Sequence, residues 1–211
     1  MDKLGSGFHL YVITDHNLSR DRSDEEVVEA AIAGGADIIQ LRDKGRTTKE
    51  LLQEALKLRE ITRKNGVPFL INDRVDLALA ADADGVHLGQ NDLPIEYARK
   101  LLGNGRIIGV SAQSAEQAVQ AERDSADYVA VSAIFSTPTK PDAEALGLES
   151  ITKIKENVNI PVVAIGGIKE ENAARVRKAG ADCIAVISAV VSAIDIEEAA
   201  RNLRERFLAA D

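Results

Sequence analysis

A chain of 211 residues, 45% of them hydrophobic, is long enough for one sizeable core, and with aromatic residues at 3% and no tryptophan that core must be aliphatic. The formal net charge of -8 argues against nucleic acid as a partner, so an anionic substrate would need a local basic pocket. A single cysteine, Cys183, excludes an intrachain disulfide, and no apolar run nears the ~20 residues of a membrane span, which leaves a reducing, cytoplasmic setting as the expectation.

In chain order, a short N-terminal extension over residues 1–7 precedes the apolar run Leu10-Tyr11-Val12-Ile13. Ser23-x-x-Glu26 then has the form of a capping box and opens a helix that stops near Gly34, after which Ala36-Asp37 leads into a run ending at Gln40-Leu41. Thr47-x-x-Glu50 opens the next helix, where Leu51, Ala55, Leu58 and Thr62 recur at helical spacing and Gly66 supplies the stop. The alternation continues through Pro68 to Ile71, Ala83-Asp84, Ile107 to Val110 with Ser114-x-x-Gln117, Ala126-Asp127, Pro161 to Ile165, and Gly180 with Ala181-Asp182. Gly34, Gly66 and Gly180 are expected in left-handed helix-ending conformations. The four Ala-Asp pairs, 47, 43 and 55 residues apart, each end a helix-like segment and open a strand.

Eight short runs, rich in Val and Ile and nearly continuous rather than alternating, read as strands of a parallel sheet buried on both faces. Strict alternation with helices, eight times over, is the pattern of an α/β protein with a (β/α)8 TIM barrel, here one domain over residues 1–211. A doubly wound open sheet is the alternative, but it usually shows fewer strands and a glycine-rich first turn that this chain lacks.

Barrel catalytic groups sit at the carboxyl ends of the strands. Gln40, Arg42 and Lys44 run off strand 2, and alternation turns them to one side with Leu41 on the other. Arg42 can then grip phosphate oxygens while Lys44 adds a point charge; a surface salt-bridge cluster with Asp43 is the plainer alternative. Asn72, Asp73 and Asp92 leave strands 3 and 4. Two carboxylates on one rim suit Mg2+, which takes one or two protein carboxylates and completes its coordination with water and phosphate oxygens. A helix N-cap is an equal explanation of Asp73 alone. Zinc is not expected, because His9, His16 and His87 lack ligand spacing, and His87 reads as a strand histidine with a satisfied hydrogen bond rather than as a catalyst.

After strands 7 and 8, Gly166-Gly167 and Ile187-Ser188 occupy the place where many barrels bind a phosphate monoester through backbone N–H groups, tight turning being the alternative. Between these two regions in the chain lies Phe135-Ser136-Thr137-Pro138-Thr139-Lys140-Pro141-Asp142, where two prolines restrict a loop offering two hydroxyls and an ammonium. Its length suits a loop that closes over a site, while a solvated surface turn is the bland reading. No nucleophile and base arrangement is evident, and the inventory suits stabilising a departing pyrophosphate beside a second phosphorylated molecule.

The ordered set Tyr11-Val12-Ile13-Thr14-Asp15, Gln40-Leu41-Arg42-x-Lys44, Ile71-Asn72-Asp73-Arg74-x-Asp76-x-Ala78, Gly85-Val86-His87-Leu88-Gly89-Gln90-x-Asp92, Thr137-Pro138-Thr139-Lys140 and Ala185-Val186-Ile187-Ser188-Ala189 resembles the thiamin phosphate synthase family over nearly the whole chain. The resemblance implies Mg2+-dependent condensation of 4-amino-2-methyl-5-(diphosphooxymethyl)pyrimidine with thiazole ethyl phosphate, or its carboxylated form, to thiamin monophosphate and pyrophosphate. It implies that Gln40, Leu41, Arg42, Asp43, Lys44, Asn72, Ser111 and Lys140 hold the pyrimidine diphosphate. Thr137, Pro138, Thr139, Gly167, Ile187 and Ser188 would hold the thiazole phosphate, and Asp73 and Asp92 the metal. Arg42, Lys44, Lys140 and Ser111 form the expected catalytic set, and the family reaction is dissociative, with pyrophosphate leaving before the thiazole nitrogen attacks. Two departures fall at Ser132-Ala133, where the family often has glycine and proline, and at Ala112-Gln113, where a histidine is frequent. A thiazole tautomerase and a ligand-binding barrel without chemistry are the competing functions; the full charged set argues against both. Small phosphorylated substrates are the expected partners, with nucleic acid and membrane excluded and homo-oligomerisation left open.

Overall fold

The computed structural model describes Leu4, residues 7–137 and residues 144–209. Eight parallel strands, β1 (Leu10–Ile13), β2 (Ile38–Leu41), β3 (Phe69–Asn72), β4 (Gly85–Leu88), β5 (Ile107–Ala112), β6 (Tyr128–Val131), β7 (Val162–Ile165) and β8 (Cys183–Val186), form a closed barrel in sequence order, with β8 pairing back onto β1. Between them lie α1 (Asp24–Ala33), α2 (Thr48–Asn65), α3 (Val75–Ala80), α4 (Ile95–Leu102), α5 (Ala115–Arg123), α6 (Leu148–Lys155) and α7 (Glu170–Lys178); α8 (Ser188–Val191) and α9 (Ile196–Leu208) follow β8. The TIM barrel expected from the apolar runs is the fold.

Helix starts follow the capping logic closely. Ser23 and Thr47 make complete reciprocal boxes with Glu26 and Glu50. Ser114 caps the Gln117 N–H, but the Gln117 side chain accepts from Gln113 N instead of returning to Ser114, so this box is displaced by one residue. Gly66 and Gly180 take the expected left-handed conformation, at φ 67° and 104°. Gly34 does not, since its φ is -78° and the left-handed residue is Gly35. Gly34 answers to space instead: a Cβ there would lie 2.4 Å from the Glu197 carbonyl oxygen and 2.7 Å from Ala200 Cβ, so only glycine lets α1 approach α9 this closely.

The Ala-Asp repeat has a common structure at the amino-terminal rim. Before each pair stands a residue with positive φ, namely Gly35, Asp82, Ser125 or Gly180. The alanine N–H then bonds back into the preceding helix, as Ala83 N does to Ala78 O at 2.9 Å, which closes a Schellman-type turn. Each aspartate exchanges bonds with the neighbouring odd strand: Asp127 N donates to Ile108 O at 2.7 Å while Asp127 Oδ2 accepts from Ile108 N at 2.8 Å. Asp37, Asp84 and Asp182 do the same with Leu10, Phe69 and Val162. A cation completes each clamp: Arg204 on Asp37, Arg59 on Asp84, Arg99 on Asp127 and Lys155 on Asp182.

Strand residues divide into two apolar sets. Outward side chains such as Val12, Ile39, Leu41, Ile71 and Val129 pack beneath the helices, and inward ones such as Tyr11, Ile38, Leu70, Tyr128 and Val163 fill the barrel, with Phe8 among them. Toward the carboxyl ends the interior turns polar, because Gln40, Asn72, His87 and Ser111 occupy the last inward positions of β2 to β5.

Candidate active site

The polar ends of the strands open into a cavity of about 950 Å³ lined by Gln40, Arg42, Lys44, Asn72, Asp73, Asp92, Ser111, Thr137, Gly167, Ile187 and Ser188 among others. That volume lies at the upper end of the usual range for small-molecule sites. Eleven positions chosen from the sequence thus converge on one space. Leu41 and Asp43 do not belong to its lining. Leu41 is the outward residue of its strand, 1% exposed in the packing beneath the helices, as alternation dictates. Asp43 spends its carboxylate on its own loop, where Oδ1 accepts from Gly45 N at 2.7 Å and Arg46 N at 3.0 Å. Pro138, Thr139 and Lys140 lie outside the described residues.

Arg42 is oriented from β1. Its backbone N–H donates to the buried Thr14 hydroxyl at 3.1 Å, and its guanidinium pairs with Asp15 at 3.2 Å. The expected partner Asp43 is paired with Arg46 instead. Asp73 sits in a left-handed turn directly after β3, at φ 61°, with its N–H donated to His87 O at 2.8 Å. The cap position before α3 is Arg74, and it makes no side-chain cap bond, so the N-cap explanation of Asp73 falls away. Asp92 is held from the next strand's loop, its Oδ2 accepting from Gly89 N at 2.6 Å. Burial, then a hydrogen bond with Asp92 and the charge on it, push the Asp73 carboxyl up to about 6, against the opposing pull of Lys44 and Arg42.

On the other side of the cavity Gly166 and Gly167 both take positive φ, at 103° and 65°. A Cβ on Gly167 would lie 2.7 Å from Ser136 O, so the glycines also bring the turn after β7 against the loop after β6, whose Phe135 N donates to Gly166 O at 3.0 Å. Arg22, which the sequence did not single out, donates to the carbonyls of Val191, Ala193 and Ile194 and holds the loop after β1 against α8. The sequence signal was also silent on Tyr11 and Tyr128, apolar in pattern, whose hydroxyls link Gln40 to His87 under the cavity floor.

Fold and site together define a (β/α)8 barrel with a polar, charged cavity at the carboxyl ends of its strands. The family model described as thiamine monophosphate synthase matches residues 10–190. The thiamine-phosphate synthase of Chloroflexus aurantiacus is 56% identical over 198 residues, 93% of this chain and 91% of its own length. That of Ruminiclostridium cellulolyticum is 49% identical over 95% of this chain and 96% of its own. A solved structure of thiamine phosphate pyrophosphorylase from Pyrococcus furiosus superimposes with a TM-score of 0.89 at 45% identity, covering 99% of this chain and 98% of that one. The chain belongs to the thiamine monophosphate synthase family. It is accordingly a transferase that forms thiamine phosphate, which decides against the tautomerase and the barrel without chemistry.

Proposed function

We propose that the cavity joins 4-amino-2-methyl-5-(diphosphooxymethyl)pyrimidine to thiazole ethyl phosphate, or its carboxylated form, with Mg2+ as the metal. The observation that carries this reading is that Arg42, Lys44, Asp73 and Asp92, from three strand ends, line one cavity. The donor set fits the ion. Two neighbouring carboxylates, one of them raised by burial and then by the other, call for a cation, and among the described residues no group of three or more His, Cys, Asp or Glu is arranged as a full cage. A hard cation that takes one or two carboxylates and completes its coordination with water and phosphate oxygens matches this. Asp73 and Asp92 would hold it, and when bound it neutralises charge on the diphosphate.

The chain's own groups do the rest. Arg42, pre-oriented by Asp15, grips diphosphate oxygens, Lys44 adds a point charge, and Gln40, Asn72 and Ser111 place the pyrimidine. Thr137, Gly167, Ile187 and Ser188 hold the thiazole phosphate across the cavity, with Pro138, Thr139 and Lys140 as proposed additions from the loop. Pyrophosphate departs first, leaving the pyrimidine methylene as a cation that the thiazole nitrogen attacks. That nitrogen already carries its lone pair, so no general base is needed, and catalysis consists of fixing both rings and neutralising the departing charge. The fully buried Cys183 is in keeping with a reducing, cytoplasmic setting.

The purified chain is incubated with both substrates and either Mg2+ or a chelator. Expected are stoichiometric pyrophosphate and thiamin monophosphate with Mg2+ and loss of turnover under chelation. Turnover unaffected by chelation would remove the metal, and none above a single-substrate blank would remove the substrate pair.

A further inference from the structure

Below the cavity floor runs a line of polar side chains. Gln40 Nε2 donates to the Tyr11 hydroxyl, and the Tyr11 and Tyr128 hydroxyls lie 3.1 Å apart. Tyr128 Oη is 2.9 Å from His87 Nδ1, and His87 Nε2 is 3.0 Å from Ser111 Oγ. Both ends of the line, Gln40 and Ser111, face the cavity, as does His87; the two tyrosines do not.

The line has a direction. Tyr11, having accepted from the Gln40 amide nitrogen, has one proton to give and the Tyr128 oxygen beside it. Tyr128 passes its own proton to His87 Nδ1, so the neutral imidazole carries hydrogen on Nε2 and donates to Ser111 Oγ. Along the line Tyr11, Tyr128 and His87 each receive a bond from one side and pass one to the other. At the two ends this leaves the Gln40 carbonyl oxygen, beside the second Nε2 hydrogen, and the Ser111 hydroxyl hydrogen for the cavity. Burial drives both phenols far above their ordinary ionisation range, so they remain available as donors. Space has been made for the arrangement: a Cβ on Gly109 would lie 1.9 Å from Tyr128 Cζ, and the Tyr128 ring stacks on His87 at 5.7 Å and 22°.

We propose that Tyr11, Tyr128 and His87 are positioning residues that hold Gln40 as an acceptor and Ser111 as a donor toward the pyrimidine, and thereby select an amino ring over its oxo counterpart. The inference rests on the substrate reading above. An exocyclic amine facing Gln40, with an unprotonated ring nitrogen or a phosphate oxygen facing Ser111, satisfies both ends. A 4-oxo ring places an acceptor against an acceptor, which leaves buried polar groups unpaired.

Two measurements on the full chain test this. Histidine nitrogen NMR at about pH 8 reads the tautomer of His87, and proton on Nε2 with Nδ1 bare is expected. Kinetics then compare the 4-amino and 4-oxo pyrimidine diphosphates. In Tyr128→Phe, which keeps the ring, the amino-over-oxo ratio of kcat/KM should fall by roughly tenfold, because Tyr11 is freed to turn its proton on Gln40. The His87 tautomer should become mixed while KM for the thiazole stays put. Tyr11→Phe should lower the ratio similarly and, because Tyr128 then receives no proton from Tyr11, also loosen the tautomer; it serves if Tyr128→Phe does not fold. A wild-type Nδ1–H tautomer, or an unchanged ratio in the variants, overturns the proposal. Absence of turnover with either pyrimidine would overturn the substrate reading alone, and the wild-type tautomer would still decide the chain of donors.

Discussion

The two rims of the barrel use the same residue types for opposite ends. At the amino-terminal rim the aspartate of each Ala-Asp pair has a strand N–H and a cation assigned to it, four times in one pattern, and Asp84 takes both Arg59 nitrogens at 2.8 and 3.1 Å. At the carboxyl-terminal rim burial and the neighbouring Asp92 together raise Asp73, and the nearby cations do not cancel the effect. Satisfied charge makes a rigid base. Charge left in tension makes a place where an ion or an anionic substrate gains by binding. Repetition belongs to the first rim and asymmetry to the second, because a scaffold serves all eight strands equally whereas a reaction has two different ligands.

The sharpest way to separate the rims is to remove one cation from each. Arg42→Ala should lower kcat by roughly 10²–10³ with little change in melting temperature, since the group acts on departing charge. A comparable loss of melting temperature would show that Arg42 belongs to the scaffold. At the other rim, Asp127→Ala orphans the Ile108 N–H and takes the carboxylate from Arg99, which keeps its bonds to the Gly103, Arg106 and Ser125 carbonyls, so about 2–3 kcal/mol of stability should be lost. Activity at low temperature should remain near wild type, and Asp127→Asn, which keeps the acceptor, should cost less; denaturant melts with parallel assays check both.

The smallest effect expected is a pH dependence. The Asp73 carboxyl is raised from 3.8 to about 6, so its contribution to stability is complete below about 4 and is lost as pH rises through about 6. Melting temperature without divalent ions should therefore sag across that window, and Mg2+ should restore it at the upper end. Asp92→Asn should make the sag shallower without abolishing it, because the neighbouring charge has gone while the burial of Asp73 stays. A wild-type profile identical with and without Mg2+ would count against the carboxylate pair as a cation site.

The strands were legible because burial on both faces leaves a plain apolar run, and the Ala-Asp repeat marked four strand starts. Why it repeats was not legible. Two of the four left-handed positions are Asp82 and Ser125, residues with no glycine signature, and the paired cations lie far away in the chain. In the site, Arg42 and Lys44 followed from strand alternation, and the same alternation placed Leu41 outside. Carrying the whole stretch from Gln40 to Lys44 over from the family brought Leu41 and Asp43 in with it. Tyr11 and Tyr128 escaped notice because an inward tyrosine in an aliphatic strand has the pattern of core, and only the barrel's closure brings their hydroxyls together across 117 residues.

Each clamp on the lower rim borrows its cation from the helix before the odd strand it secures: Arg59 from α2 ahead of β3, Arg99 from α4 ahead of β5, Lys155 from α6 ahead of β7. For β1 no earlier helix is described, and the cation is Arg204 of α9, close to the far end of the chain. A nascent chain emerging from the ribosome can therefore complete three clamps as it grows, but the one on Asp37 waits for the last helix. Of the eight barrel strands, the earliest made is thus the last to be locked, and its clamp joins the two ends of the barrel.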